Sequence, residues 1–361
     1  MISVEECCEI LDFMRVPITA SERKEGKYPY YGANGIQDYV EDYIFDDELV
    51  LLAEDGGNFG LKDRPIAYRV SGKCWVNNHA HVLKPKDGLN VDYLCYSLMF
   101  YNVDGMVNGA TRQKLTQAAM RKMQIPFRTI DEQKEIVNKL NQIIAIKKKR
   151  NQQLQLLDTL IKARFVEMFG DIMINPKGWE LLDFDEMTEL ITDGEHNTPR
   201  RTDKGIYLLS ARNILNHNIQ LNDVDYIDEE EYARISKRIV PQSGDVLISC
   251  SGSVGRCCSV PKGLKFQMVR SVAILRFKDK IRPKFAEYMI TSDYVQRQIG
   301  ASKTASSQAN LFQGKIAKLK GFAPPVGLQI EFEQFINRVD KLKVVHYIIG
   351  FLDFIALYRV I

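Results

Sequence analysis

No two cysteines in this 361-residue chain are spaced as CxxC, although there are seven of them; Cys7-Cys8 and Cys257-Cys258 are adjacent pairs and the rest are isolated. That argues against a zinc ribbon or a dithiol redox centre and fits reduced thiols in a cytosol. Charge of one sign is also scarce: 49 Lys+Arg against 46 Asp+Glu leave +3. A protein that coats nucleic acid with a wholly cationic surface is thereby excluded, and any anion-binding face must be local. The phosphate-cradling GxxxxGK[ST] loop is missing; Gly56-Gly57-Asn58-Phe59-Gly60-Leu61-Lys62 has the glycines without the lysine position or the hydroxyl, so no nucleotide-driven motor is expected. The Asn/Asp-Pro-Pro-aromatic motif that holds a flipped adenine for methylation is missing too. Asn175-Pro176-Lys177 has one proline and no aromatic and reads as a turn.

The first residues, MISVEECCEI, carry no basic stretch ahead of an apolar one. They do not read as a signal peptide, and a cytoplasmic location is expected with no membrane partner. Long apolar runs are lacking but for Val344 to Ile361, interrupted by Asp353 and Arg359. An altered or truncated ending is the expectation there, with a membrane anchor or an interaction patch as the alternative.

With 45% hydrophobic and 26% charged residues, the composition is that of an ordinary globular protein, and the length predicts two domains. A diverged repeat supports the same division. Leu51-Leu52-Ala53 and Gly57-Asn58-Phe59-Gly60 match Val246-Leu247-Ile248 and Gly252-Ser253-Val254-Gly255, each a buried strand running into a glycine turn. Trp75 to Leu83 then parallels Met268 to Arg276, and Val91 to Leu98 parallels Pro283 to Ile290. The polar loops at Thr111-Arg112-Gln113 and Ala305 to Gln308 follow, then the steps Lys122-Met123-Gln124 and Lys318-Leu319-Lys320, and Gln133 and Gln329 open a helix in each copy. Five segments in one order point to tandem related domains with different ligands.

Between the copies no proline or glycine interrupts Asp131 to Gly170, and Ile136, Leu140, Ile143, Leu154, Leu157, Ile161 and Phe165 recur at helical spacing. One helix of some forty residues would reach roughly 60 Å, similar to about 17 base pairs. The seam turns polar at Lys147-Lys148-Lys149-Arg150, a run whose ordinary meaning is a solvated face. Phe332, Ile336, Val339 and Leu342 repeat the pattern after Gln329, so the two stripes are expected to pair as an antiparallel coiled coil. Gly170 is the expected C-cap.

The segments Gly26 to Val40 (GKYPYYGANGIQDYV), Leu49 to Gly60 (LVLLAEDGGNFG), Ile125 to Lys134 (IPFRTIDEQK), Leu156 to Gly170 (LLDTLIKARFVEMFG) and Asn175 to Glu180 (NPKGWE) resemble the specificity subunit of type I restriction-modification systems over nearly the whole chain. The departures are the apolar tail and Leu328-Gln329 where the first copy has Glu132-Gln133. The resemblance implies an α+β fold of two similar mixed α/β target-recognition domains, separated by long helices that form an antiparallel coiled coil. On that reading residues 1–130 and 171–327 are the recognition domains, 131–170 the first spacer helix and 328–361 the second. It further implies that the chain is not an enzyme and carries no cofactor. Methyltransferase subunits and a restriction motor would be its partners, using S-adenosylmethionine, ATP and magnesium, and the ligand would be double-stranded DNA with each domain reading half of a split site. A scaffold that has lost DNA binding is the competing reading.

Base edges are told apart best by Arg, Asn and Gln, with hydroxyls adaptable. The candidates in the first domain are Asn77, Asn78 and His79 and the loop residues Asn108, Thr111, Arg112, Gln113, Lys114 and Gln117. In the second they are Arg212, Asn213, Ser253, Arg256 and Arg270 and the loop Lys303, Thr304, Ser306, Ser307, Gln308 and Asn310. Most such contacts go to phosphate rather than bases. Tyr28, Tyr30 and Tyr31 read as packing residues. No metal site is expected: Glu54-Asp55 beside two glycines suits a turn, His79 and His81 have no third ligand at a recognisable spacing, and His196, His217 and His346 are isolated.

Overall fold

A computed structural model of the chain describes residues 1–109, 112–302 and 310–358, with side chains in the last helix as far as Val344. The candidates Thr111, Lys303, Thr304, Ser306, Ser307 and Gln308 lie outside the described residues. The fold divides into two compact units, Met1–Lys149 with the residues from Gly350 on, and Arg150–Ile349.

Each unit begins in the same way. Ser3 and Glu6 form a reciprocal capping box around the short helix Val4–Cys7, as Asp183 and Glu186 do around Phe184–Met187. The strand just before each helix pairs antiparallel with the one that closes the unit: Ile2–Ser3 with Gln124–Ile125, and Leu181–Asp183 with Lys320–Phe322. The strand just after it edges a sheet. In the first unit Cys8–Ile10 pairs with Ala80–Pro85, then Phe45–Ala53, then Ala67–Val76. In the second, Thr188–Asp193 pairs with Val272–Phe277, then Val246–Ser249, then Cys257–Ser259. All six pairings are antiparallel.

The backbone bonds to the segment that closes each unit set the repeat one residue away from the alignment read in the sequence. The Leu115 amide bonds to the Glu54 carbonyl as the Leu311 amide bonds to that of Cys250, so Glu54 is the counterpart of Cys250 and Val50, not Leu51, that of Val246. Val50 faces Leu83 and Val246 faces Leu275, which makes Leu83 the counterpart of Leu275 rather than Arg276. Gly56 and Gly252, both at positive φ, open the two turns. The missing residue falls inside the turn, where chain length is free to change. The fully buried strands LVLLA and VLIS have no polar face to fix their phase.

Between its edge strand and its central strand each unit carries an insertion of its own. Residues 13–44 form the hairpin Glu25–Gly32 and Gly35–Val40, which extends the first sheet. Residues 194–245 contribute the strands Ile206–Leu209 and Asp225–Ile227 of a separate three-stranded sheet completed by Phe266–Met268. Tyr30 is buried in the first insertion, its hydroxyl bonded to Ile18.

The first long helix runs Ile130–Phe169 and the second Val326–Tyr358. Equivalent glutamines lock their starts. The Gln133 side chain accepts from the Asn90 amide and donates to the Gly88 and Arg128 carbonyls; the Gln329 side chain accepts from Arg282 and donates to Lys280 and Pro324. Asn90 and Arg282 are the N-caps of the helices Val91–Met99 and Pro283–Ile290, so each lock ties a long helix to the core of its unit.

Inside the second unit the helices run antiparallel. Phe165 packs on Phe332 at 5.4 Å, Arg164 reaches Glu331 at 2.8 Å, and two turns earlier Asp158 meets Lys343 at 2.7 Å. Ile161, Phe165, Phe332, Ile336 and Val339 share one core. Gly170, at φ +82, ends the first helix as expected; a Cβ there would stand 2.8 Å from Pro176, a contact only glycine avoids. Trp179 then staples the turn, its indole N–H donating to the Phe169 carbonyl and its backbone exchanging bonds with Asn175. Among the described residues no helix is long and apolar enough to cross a membrane.

Candidate nucleic-acid interface

At one end of each sheet the chain that follows a polar loop returns beside the glycine turn, in the same backbone frame. The Glu54 amide bonds to the His79 carbonyl and the Leu115 amide to the Glu54 carbonyl; in the second unit Cys250 bonds to Ser271 and Leu311 to Cys250. Bridges Asp55–Lys114 and Ser251–Asn310 repeat at the same separation.

In the first unit the structure gathers most of the predicted residues here. Asn78, Arg112, Gln113 and Lys114 are exposed and His79 is half-buried. Arg112 lies 2.8 Å from Asp55, Lys114 3.1 Å from Glu54, and His79 3.3 Å from Asp55. The two carboxylates hold the cations in a compact patch and neutralise part of it. Asn108 is exposed on the short strand Val107–Asn108 that leads into the loop. Asn77 is buried, accepting from the His79 amide and donating to Gln37, so its side chain shapes the turn.

In the second unit Ser253 and Arg270 are exposed, and Arg256 and Asn310 are half-buried. Neither Arg256 nor Arg270 makes an ion pair with another described residue, whereas Arg212 is held by Asp225 at 2.9 Å. Asn213 is buried, with its amide spent on Gln220 and Asp223 carbonyls and its oxygen on Ser210; it offers DNA nothing. Arg270 and Asn310 line a cleft of about 390 Å³ floored by Cys250 and Leu311.

Below each patch sits a carboxylate that local sequence could not single out. Asp12 and Asp193 are equivalent: one residue N-terminal to Asp12, the Leu11 amide bonds to Val82, the strand neighbour of His81, and Asp193 pairs with Ala273, the counterpart of His81. Asp12 binds His81 Nδ1 at 2.7 Å, Gln117 at 2.9 Å and the Val82 amide at 2.8 Å, with Arg15 at 3.5 Å. Asp193 binds His196 at 3.0 Å, Arg238 at 2.7 Å and Gln313 at 2.5 Å. Burial raises both carboxyls, but the imidazole beside each and the other donors outweigh it, and both stay below the ordinary aspartate range. Carrying the separation of Gln133 and Gln329 onto Gln117 would have found Gln313.

His81 is the clearest surprise. It is fully buried, and its Nε2 lies 2.9 Å from the Leu115 carbonyl. Asp12, Glu54 and His81 bring donor atoms within 4.8 Å of one another, the set of three that spacing did not supply. Arg15 at 2.5 Å and Lys114 at 3.1 Å already compensate Glu54, and Asp12 occupies His81 Nδ1. The cluster is a self-neutralised network whose carboxylates a cation would have to win from Arg15 and Lys114. His217 also has a partner: it bonds to the fully buried Glu287 at 2.7 Å and stacks on Tyr288.

Carboxyls held low in the fold stabilise it above the ordinary value and lose that contribution as pH falls through the folded one. For Asp12 and Asp193 the ordinary value is 3.8, and for Glu287, whose burial is outweighed by His217 and Lys284, it is 4.5. Unfolding midpoints are therefore expected to stay level down to about pH 5 and then fall steeply, and Glu287→Gln should flatten the upper part of the descent.

Residues 1–156 match the model of the type I restriction modification DNA specificity domain. A type I restriction enzyme specificity subunit of Haemophilus influenzae is 32% identical over 272 residues, 70% of this chain. The chain belongs to the type I specificity-subunit family. It spans 66% of the length of the Haemophilus relative and 27% of that of the EcoprrI specificity subunit of Escherichia coli, to which it is 26% identical over 114 residues. The crystal structure of the S subunit of a type I system from M. genitalium superposes with a TM-score of 0.54 at 11% identity, covering 99% of this chain and 94% of that one. A chain from a structure on the assembly and conformational transition of a type I restriction-modification system gives 0.55 at 12%, covering 99% and 95%. These likenesses speak to the fold, which is that of the family: mixed helix and sheet, with long helices between and after the units.

Proposed function

We propose that the chain is the sequence-reading, non-catalytic subunit of a type I restriction-modification complex. Each unit reads one half of a split DNA site, and the long helices set the distance between the halves and dock methyltransferase subunits. S-adenosylmethionine, ATP and magnesium are used by the partner polypeptides, the methyltransferases and the restriction motor, and this chain carries no cofactor. The observation that carries the reading is the duplication itself. Two sheets receive the chain that follows a polar loop in the same backbone frame, and the two loops differ in sequence, as two readers of different half-sites require.

Arg112→Ala is expected to relax recognition at one half-site and Arg256→Ala at the other, each by about 1–3 kcal/mol against the wrong base. Binding with the modification subunits to duplexes scrambled one half at a time checks this. Equal loss at both halves would assign the units wrongly, and salt-independent binding would favour the scaffold reading. Inserting seven residues into each long helix should shift the preferred spacer, by about 10.5 Å of rise or three base pairs. Methylation mapping in cells reads it, and an unchanged spacer removes the helices from the measurement of distance.

A further inference from the structure

Asp12 and Asp193 each stand where three parts of a unit meet. The carboxylate belongs to the end of the edge strand common to both units. Arg15 opens the first insertion, and Arg238 and His196 belong to the second. Gln117 and Gln313 begin the short helices Gln117–Arg121 and Gln313–Ala317 that leave the polar loop. Both carboxylates therefore collect an arginine, a histidine and a glutamine, but only the glutamine comes from the same place in the two copies. Arg15 also donates to the Asp12 carbonyl at 2.9 Å and the Ala80 carbonyl at 2.8 Å, as Arg238 does to the Gly194 carbonyl at 2.9 Å. One junction has been assembled from different side chains on two unrelated insertions.

We propose that Asp12 and Asp193 are positioning residues, each fastening its unit's variable insertion and polar loop to the common sheet so that both segments meet DNA in one fixed geometry. Gln117 is then a latch rather than a base reader, and Gln313 is its partner in the second unit. The assignment rests on the reading of the chain as a DNA-specificity subunit. The physical ground is that a hydrogen bond to an ionised, part-buried carboxylate is stronger and more directional than a neutral one. A loop held by one such bond keeps its side chains within reach of base edges without the entropy loss of ordering at each encounter.

Gln117→Met and Gln313→Met remove one donor each and keep the length of the side chain and every ion pair of the junction. The complex with its modification subunits is assayed by selection from a duplex library randomised in both halves. The unsubstituted chain selects two half-sites. Gln117→Met is expected to lose roughly tenfold in discrimination, the size of one charge-assisted hydrogen bond, spread over all bases of one half-site, and Gln313→Met the same at the other. The salt slope of binding stays as it was, the melting midpoint falls by no more than the loss of that one bond allows, and Gln117→Met adds nothing to Asp12→Asn in the double variant. A change confined to one base position would make Gln117 a reader and overturn the latch. Additive losses, equal losses at both halves, or no loss would overturn it as well. A library from which the unsubstituted chain selects nothing overturns the DNA reading instead, and with it the need for a junction.

Discussion

Phe165→Ala is expected to destabilise the second unit by about 3–5 kcal/mol, the range for emptying a large aromatic from a packed core. Phe165 contacts Phe169, Phe285, Phe322 and Phe332 with ring centroids 5.0 to 6.2 Å apart. Those partners come from its own helix, the helix Pro283–Ile290, the closing strand Lys320–Phe322 and the second long helix. One ring thus joins the paired helices to the globular core, and its loss leaves a cavity that four rigid neighbours cannot fill. Trp179 reports the event from the same unit, since its indole bonds to Phe169. In a Trp75→Phe background, denaturant unfolding followed at Trp179 gives the change directly. A loss below about 1 kcal/mol would show that the helices are held on the unit by other contacts.

Arg15→Met should cost about 3–5 kcal/mol in the first unit, the penalty for leaving a buried carboxylate without its partner. Arg15 is mostly buried and supplies Glu54 at 2.5 Å while steadying Asp12. Lys114 still reaches Glu54, so the lower end of that range applies where it holds. The diagnostic is the double variant: Arg15→Met with Glu54→Leu removes both charges and should recover most of the loss, because an apolar pair of similar volume substitutes well for a buried ion pair. Hydrogen exchange at the amides of Val82 and Leu115 follows the unit alone. Failure of the second substitution to restore protection would mean that Arg15 acts through its bonds to the Asp12 and Ala80 carbonyls rather than through charge.

The long helices were the most legible elements. A run without glycine or proline, a stripe at spacings of three and four, and Gly170 beyond it carry enough local information to specify a helix of this length. The order of the repeat was legible for the same reason, since element type survives divergence. Its phase in the strands was not: LVLLA and VLIS are buried on both faces, so sliding one residue changes nothing that composition can register, and only the backbone bonds of Glu54 to Leu115 and of Cys250 to Leu311 set it. The reading face divided similarly. Arg112, Lys114 and Arg270 stand exposed where loops after glycine turns were expected, while Asn77 and Asn213 carry the right amide and spend it inside the fold.

Sequence alone determined that this chain has two related halves, a long helix after each, and no local motif for a phosphate, a methyl donor or zinc, because each of these is written in contiguous residues or in fixed spacings. Tertiary structure alone decided which polar side chains face outward and which are consumed within. It also decided that Asp12 and Asp193 become matching junctions, and that His81 lies sealed between a carboxylate and a carbonyl. The junctions and the sealing of His81 draw on partners far along the chain, Leu115 for His81 at 34 residues and Gln313 for Asp193 at 120, and a hydrogen bond between distant residues leaves no period in the chain for a reader to find.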